Sequence, residues 1–215
     1  MTDLSPDKNA GAPRRSLVGR LIGTIAIGFA ATRARAESAA EDGPDWPGKL
    51  KARHRQVVDA YWVNEGEPLD FAHNFIATNL PGAAIAVVIL RAGALPIALN
   101  SAMWDKYKIG EAFKIIDPET KAPAVKNPFL YPKPGVLRRD EAAVDRLLAK
   151  GTIFGACEVA LRGQSQRLAG NAGMSADDAV KEWAANVVPG IAIIPSGVWG
   201  LNRAQEGGCT YCSGG

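Results

Sequence analysis

The chain has 215 residues, 47% of them hydrophobic, which suits one globular domain with a sizeable core. Its net charge of +3 comes from residues 1–36, which hold Lys8, Arg14, Arg15, Arg20, Arg33 and Arg35 against Asp3 and Asp7; residues 37–215 carry 19 basic and 20 acidic groups. That near-neutral body has no basic patch interleaved with aromatics, which argues against a nucleic-acid partner.

In chain order, the first feature is an address. Arg14 and Arg15 precede a short Gly-rich apolar run that closes on Ala34 and Ala36, small residues at the positions a signal peptidase reads. The arrangement resembles a twin-arginine export signal, although Pro13 stands where Ser or Thr is usual and Gly19 where Lys is frequent. Arg33 and Arg35 disfavour the general secretory channel. The run is too short to span a bilayer about 20 residues deep, and no second apolar stretch is long enough. The expectation is export to the periplasm with cleavage after Ala36 and no stable membrane span afterwards. This route carries folded proteins, so the domain should fold before it crosses. Residues 37–53 are polar and rich in Ala, Gly and Pro, and read as a disordered lead-in to a domain over 54–215.

Gln56–Val63 has the β-branched and aromatic content of a strand, and Leu69–Asn79 the spacing of an amphipathic helix. Ala84–Leu90 is a continuous apolar run, as in a strand buried on both faces. Ala94–Lys106 reads as a helix. Tyr107–Gly135, with prolines at 118, 123, 128, 132 and 134, reads as an irregular surface insertion. Asp140–Lys150 is a predicted helix ending at Gly151. Strands are expected at Thr152–Ala156, Ile191–Pro195 and Cys209–Cys212. Helices are expected at Glu158–Leu168, at Ala176–Ala185 behind a Ser175 cap, and at Val198–Glu206. This alternation gives an α/β domain with a mostly parallel sheet between helices. Val88, Ile153 and Ile193 should be nearly inaccessible. No Gly-x-Gly-x-x-Gly or phosphate-loop pattern is present, so no nucleotide cofactor is expected.

Three cysteines carry the candidate chemistry. Cys157 falls at the carboxyl end of a predicted strand and the start of a helix, where ligands gather in open α/β sheets and helix amides stabilise a thiolate. The same residue would serve equally as inert core packing. Glu158 would disfavour the thiolate if its carboxylate faced the sulfur. Cys209-Thr-Tyr-Cys212 reads as a redox or resolving pair, half of a metal site, a disulfide, or a tail without a role. Residues three apart on a regular strand point to opposite faces, so a local disulfide there needs a turn. His54 and His73 read as surface or helix-edge histidines. Lys133, Arg138 and Arg139 read as solvated charge.

The order Phe154-Gly-Ala-Cys157-Glu-Val-Ala-Leu, Met174-Ser-Ala-Asp-Asp, Val188-Pro-Gly-Ile-Ala-Ile-Ile-Pro-Ser-Gly-Val198 and Gly208-Cys-Thr-Tyr211 is similar to the C-terminal half of DsrE/DsrF-like proteins. The resemblance extends over roughly residues 55–212, with 107–135 as an insertion. It implies a flavodoxin-like three-layer α/β/α sandwich and a sulfur-relay role in which Cys157 takes the place of the persulfide-accepting cysteine. It implies a thiol-bearing partner protein or small sulfur compound, and oligomerisation, read here as a homo-oligomer. The terminal Cys-x-x-Cys is not part of the common pattern; Cys209 or Cys212 would resolve the persulfide if the last strand lay near Cys157. A non-catalytic module for a small ligand or a soft metal such as Cu(I), and a purely structural assembly role, stay open beside it.

Overall fold

The computed structural model describes residues 46–215; the signal and most of the lead-in lie outside the described residues. Five strands alternate with helices. These are β1 (His54–Ala60), α1 (Glu67–Ala77), β2 (Ala84–Leu90), α2 (Ser101–Lys106), α3 (Ile109–Phe113) and α4 (Val144–Ala149). Then come β3 (Ile153–Cys157), α5 (Glu158–Leu168), α6 (Ala176–Ala185), β4 (Ile191–Ile194), α7 (Gly197–Glu206) and β5 (Thr210–Ser213). All strand pairings are parallel, in the order β4-β3-β2-β1-β5. This is a flavodoxin-like α/β sheet with helices on both faces.

The strand order dictates which face each helix takes. From β1 to β4 the chain steps along the sheet in one direction, so crossovers of one hand leave their helices on one side. Leu69 and Ala72 of α1, Leu147 of α4, Leu161 and Leu168 of α5, and Trp183 of α6 accordingly share a core with Val58, Val88, Leu90 and Phe154. The last connection reverses direction to place β5 outside β1, so α7 crosses the other face. There Ala204, Trp199 and Leu201 pack on Val57, Val87, Ile89 and Ile194. Helix α7 comes very close to the sheet. A Cβ on Gly200 would run into the Ile194 and Ile89 side chains, and one on Gly155 would sit 2.9 Å from Ile194 Cδ1.

Several expectations shift. The lead-in is structured from Trp46 onward: Trp46 and Leu50 are buried against the α7 face, with Trp46 edge-on to Trp199 at 6.4 Å. Two apolar side chains in a polar stretch suffice to dock it. The first strand ends at Ala60, three residues short of the expected Val63. The helix expected over 94–106 is a 3-10 segment, Ala92–Ala98, followed by the separate α2. Pro96 lies inside and removes a donor, and Leu99 turns extended to bridge Val187. The helix expected over 140–150 is likewise split at Ala143, whose extended backbone lets Val144 N donate to Phe129 O at 2.9 Å. Val88 is fully buried, but Ile153 and Ile193 are half-buried, because Ile153 opens β3 and β4 is the sheet's margin.

The Pro-rich stretch is irregular but not superficial. Tyr107, Ile109, Ile115, Ala124 and Phe129 are buried. Asn127, also buried, holds the stretch down: its Nδ2 donates to Ile97 O at 3.0 Å and Leu99 O at 2.7 Å, and its Oδ1 accepts from Phe129 N at 3.0 Å. Gly110 lies so near the Ala124 backbone that any side chain there would collide.

Candidate functional site

Cys157 is the last residue of β3 and also the N-cap of α5, so no loop separates strand from helix. Its φ of −66° and ψ of 115° keep it extended while the chain turns into the helix. The sulfur then fills the capping role: Ala160 N donates to Sγ at 3.4 Å. Sulfur bearing negative charge accepts such a bond more strongly than a neutral thiol does. The neighbouring Glu158 carboxylate takes Arg162 Nε at 3.1 Å, one turn along the helix.

The position has topological meaning. After β3 the chain turns to α5 on one face of the sheet, and after the adjacent β4 it turns to α7 on the other. In open α/β sheets such a divergence marks the strand ends where ligands gather; here it is covered, and neither cleft beside Trp62 reaches Cys157. Ser196 caps α7 there, its Oγ accepting from Trp199 N at 3.1 Å. Thus two helix N-termini stand at adjacent strand ends. Val159 and Val198, each in the first turn of its helix, are exposed. Cys157 itself is only 5% exposed, so a reactant reaches the sulfur by displacing its cover.

A charged network occupies the next strand ends. Asp59 of β1 is buried and takes Arg91 in two bonds, Nε to Oδ1 at 2.6 Å and Nη2 to Oδ2 at 2.8 Å. Tyr211 OH donates to Asp59 Oδ2 at 3.0 Å, and the Arg91 guanidinium lies 4.4 Å from the centre of the Tyr61 ring. The Asp59 carboxylate raises both partners, holding the Arg91 proton more firmly and disfavouring the Tyr211 phenolate, the latter aided by burial. The Arg91 stem also lies on the first residue of α7, where a Cβ on Gly197 would come within 2.6 Å of Cδ. Sequence reading missed this network, because an Asp in β1 and an Arg after β2 are 32 positions apart. A charged residue inside each of two apolar runs was the available signal.

Beyond Arg91 the surface opens. Trp62 stands 55% exposed, its ring stacked over Gly93 so that no side chain fits there. A cleft of about 1040 Å³ and a smaller one of about 490 Å³ adjoin the indole; Trp62, Gly93, Phe113 and Lys114 line both. The backbone around them is held in the left-handed region at non-glycine positions: Asn64 at φ 41°, Glu65 at 54°, Ala92 at 44° and Lys114 at 55°. Strain of this kind persists only where surrounding structure fixes it, and it gathers at functional loops.

The tail cysteines take neither role with Cys157. Cys209 belongs to the α7 face and Cys212 to the opposite core, so the pair straddles the sheet and both sulfurs are free thiols. Cys212 is level with Val58, Val88 and Phe154, three residues back from the Cys157 level. Two strands intervene, so β3 and β5 are separated by three strand spacings, about 14 Å. The geometry therefore speaks against a resolving pair within one chain. Burial pushes the Cys209 thiol up to about 11, partly opposed by Arg55, and raises Cys212 as well. Both are protonated at neutral pH.

His54 is exposed. His73 is half-buried, and burial followed by Lys150 disfavours its charged form. Lys133 pairs with Glu119 at 3.0 Å in solvent. Among the described residues no group of three or more His, Cys, Asp or Glu side chains could hold a metal, and no helix is long and apolar enough to cross a membrane. No protein-family model matches the chain, and no curated protein matches it.

Proposed function

We propose that the chain is an exported sulfur-handling protein of the DsrE/DsrF-like kind, in which Cys157 accepts a sulfane sulfur and passes it to a thiol. One observation carries the reading: Cys157 Sγ sits at the N-terminus of α5, accepting the Ala160 amide, at the strand pair where the chain diverges to opposite faces. The step balances without an oxidant. The Cys157 thiolate attacks the outer sulfur of a donor persulfide R–S–SH, the S–S bond of the donor breaks, and R–S⁻ leaves, to take a proton from water, as Cys157–S–SH forms. An acceptor thiolate then attacks the same outer sulfur and Cys157 recovers its thiol. The exposed Val159 and Val198 offer apolar contact to a docking partner. The twin-arginine pattern supports a periplasmic location for this work, and association into a homo-oligomer belongs to the same proposal.

The test is intact mass spectrometry of protein recovered from the periplasm, with and without reductant. A mature chain beginning at Glu37 with one extra sulfur, lost on reduction and absent from Cys157→Ser, is the expected result. In a Cys209→Ser, Cys212→Ser background, iodoacetamide should modify Cys157 in the folded protein at neutral pH. Modification only after denaturation would reduce Cys157 to core packing and end the proposal. A second reading, a small-ligand module without turnover, is favoured by the two clefts around Trp62.

A further inference from the structure

The larger cleft carries a feature that sulfur transfer does not use. Asp70, in the first turns of α1, lines it; the side chain is 10% exposed. Among the described residues its carboxylate takes no hydrogen bond. The nearest cation, Arg138 Nε, lies 3.7 Å from Oδ2, beyond hydrogen-bond reach, on a side chain 75% exposed. An acid near a helix N-terminus is ordinarily explained by the dipole. Here Glu67 already fills that role in the first turn, and Asp70 bonds no amide. The carboxylate is thus withdrawn from water while its paired arginine is exposed and makes no hydrogen bond to it, a partner that a better-placed cation could replace.

The surroundings define that cation. Phe129, Ile115 and Val63 form buried apolar walls, and Trp62 and Phe113 offer aromatic surface nearer the mouth. The volume of about 1040 Å³ is at the upper end of small-molecule sites. Glu65 and Glu67 line the cleft too, against Lys114, Lys121 and Arg138, so charges of both signs are interspersed there and Asp70 is set apart as the buried acid among them. We infer that this cleft, walled by the Pro-rich segment, binds a small organic cation: one ammonium group against Asp70, with an apolar body along Phe129 and Trp62. Aromatic faces favour such a cation as well as its apolar part. The site stands apart from Cys157, which does not line it.

Isothermal titration of the purified full chain with phenethylamine, and with 3-phenylpropionate as the charge-reversed probe of similar shape, tests this. The amine should bind saturably and the acid should not. Asp70→Asn should weaken amine binding about tenfold or more. Arg138→Ala should tighten it, because the arginine competes for the same oxygen. Equal binding of both probes, no saturable binding of the amine, or an affinity unmoved by Asp70→Asn would overturn the inference. Should Asp70→Asn melt early, the exposed Arg138→Ala decides alone: an unchanged or weaker affinity there would also overturn it.

Discussion

Over β3 and β4 the carboxyl margin of the sheet is closed and carries a thiol; over β1 and β2 it is open and carries none. At the first place strand runs directly into helix, a sulfur replaces the usual capping oxygen, and the cover is tight. At the second, six residues of loop follow β1, the backbone is strained at Asn64, Glu65 and Ala92, and a tryptophan stands in solvent beside two clefts. Arg91 joins the two, its stem on Gly197 beside the closed end and its guanidinium on Tyr61 beside the open one. Reactive atom and available space are thus separated along one sheet margin. Access to Cys157 is a matter of displacing cover, whereas access to the clefts needs no movement.

The contrast can be broken most sharply at Ile194, fully buried on β4 and paired in register with Cys157. Ile194→Asp buries an unpaired charge and should cost about 3–5 kcal/mol, a large share of an ordinary domain's stability. A cooperative melt close to wild type would show the closed end to be looser than described. Gly200→Ala is milder. Its new methyl meets Ile194 and Ile89, and overpacking of this kind costs about 1–3 kcal/mol. The expected loss in Tm is about 2–4 °C per kcal/mol for a domain of this size.

Alkaline stability sharpens the picture away from both ends. The unfolded Cys209 thiol ionises near ~8.5, whereas in the folded chain burial holds it up to about 11. The folded state therefore keeps the proton longer. The stabilisation is complete below about pH 8.5 and is lost as pH rises toward about 11. Melting temperatures should fall over that window, and Cys209→Ala should flatten the slope, leaving the share of Cys212 and, above about pH 10, those of Tyr107 and Tyr211, whose phenolates the fold also disfavours. The smallest effect belongs to the open end. Trp62→Ala should change stability by less than about 1 kcal/mol, since the ring is more than half exposed, while widening the two clefts. A larger loss in the thermal melt would mean that Trp62 holds the β1 loop together.

Much of the architecture was legible in the sequence. Ala84–Leu90, Glu158–Leu168 and Ala176–Ala185 match the expected elements residue for residue, because an uninterrupted apolar run and two capped amphipathic runs each have one structural solution. The Ser175 cap was readable too: its Oγ accepts from Asp178 N at 3.1 Å. What stayed hidden depends on tertiary contact. Pro96 and Ala143 break helices whose periodicity looked continuous, and Asn127 folds an apparently loose stretch inward through two bonds to distant backbone. Of the site, the placement of Cys157 at a strand end was visible. Its burial stood only as one of two equal readings, and the Asp59–Arg91 pair was not visible at all, since a contact 32 positions apart leaves no local pattern.

Strand β5 lies on the far side of β1, and Thr210 Oγ1 bonds Arg55 O across 155 positions of chain. Synthesis runs at about 5–20 residues per second, so roughly 8–30 s separate the appearance of the two strands at the ribosome. For that interval β1 presents Val57 and Val58 on an unpaired margin, the kind of surface that recruits other strands. His54 and Arg55 at its start are the available guards against such pairing. The interval follows from the strand order, which leaves the first strand to wait for the last.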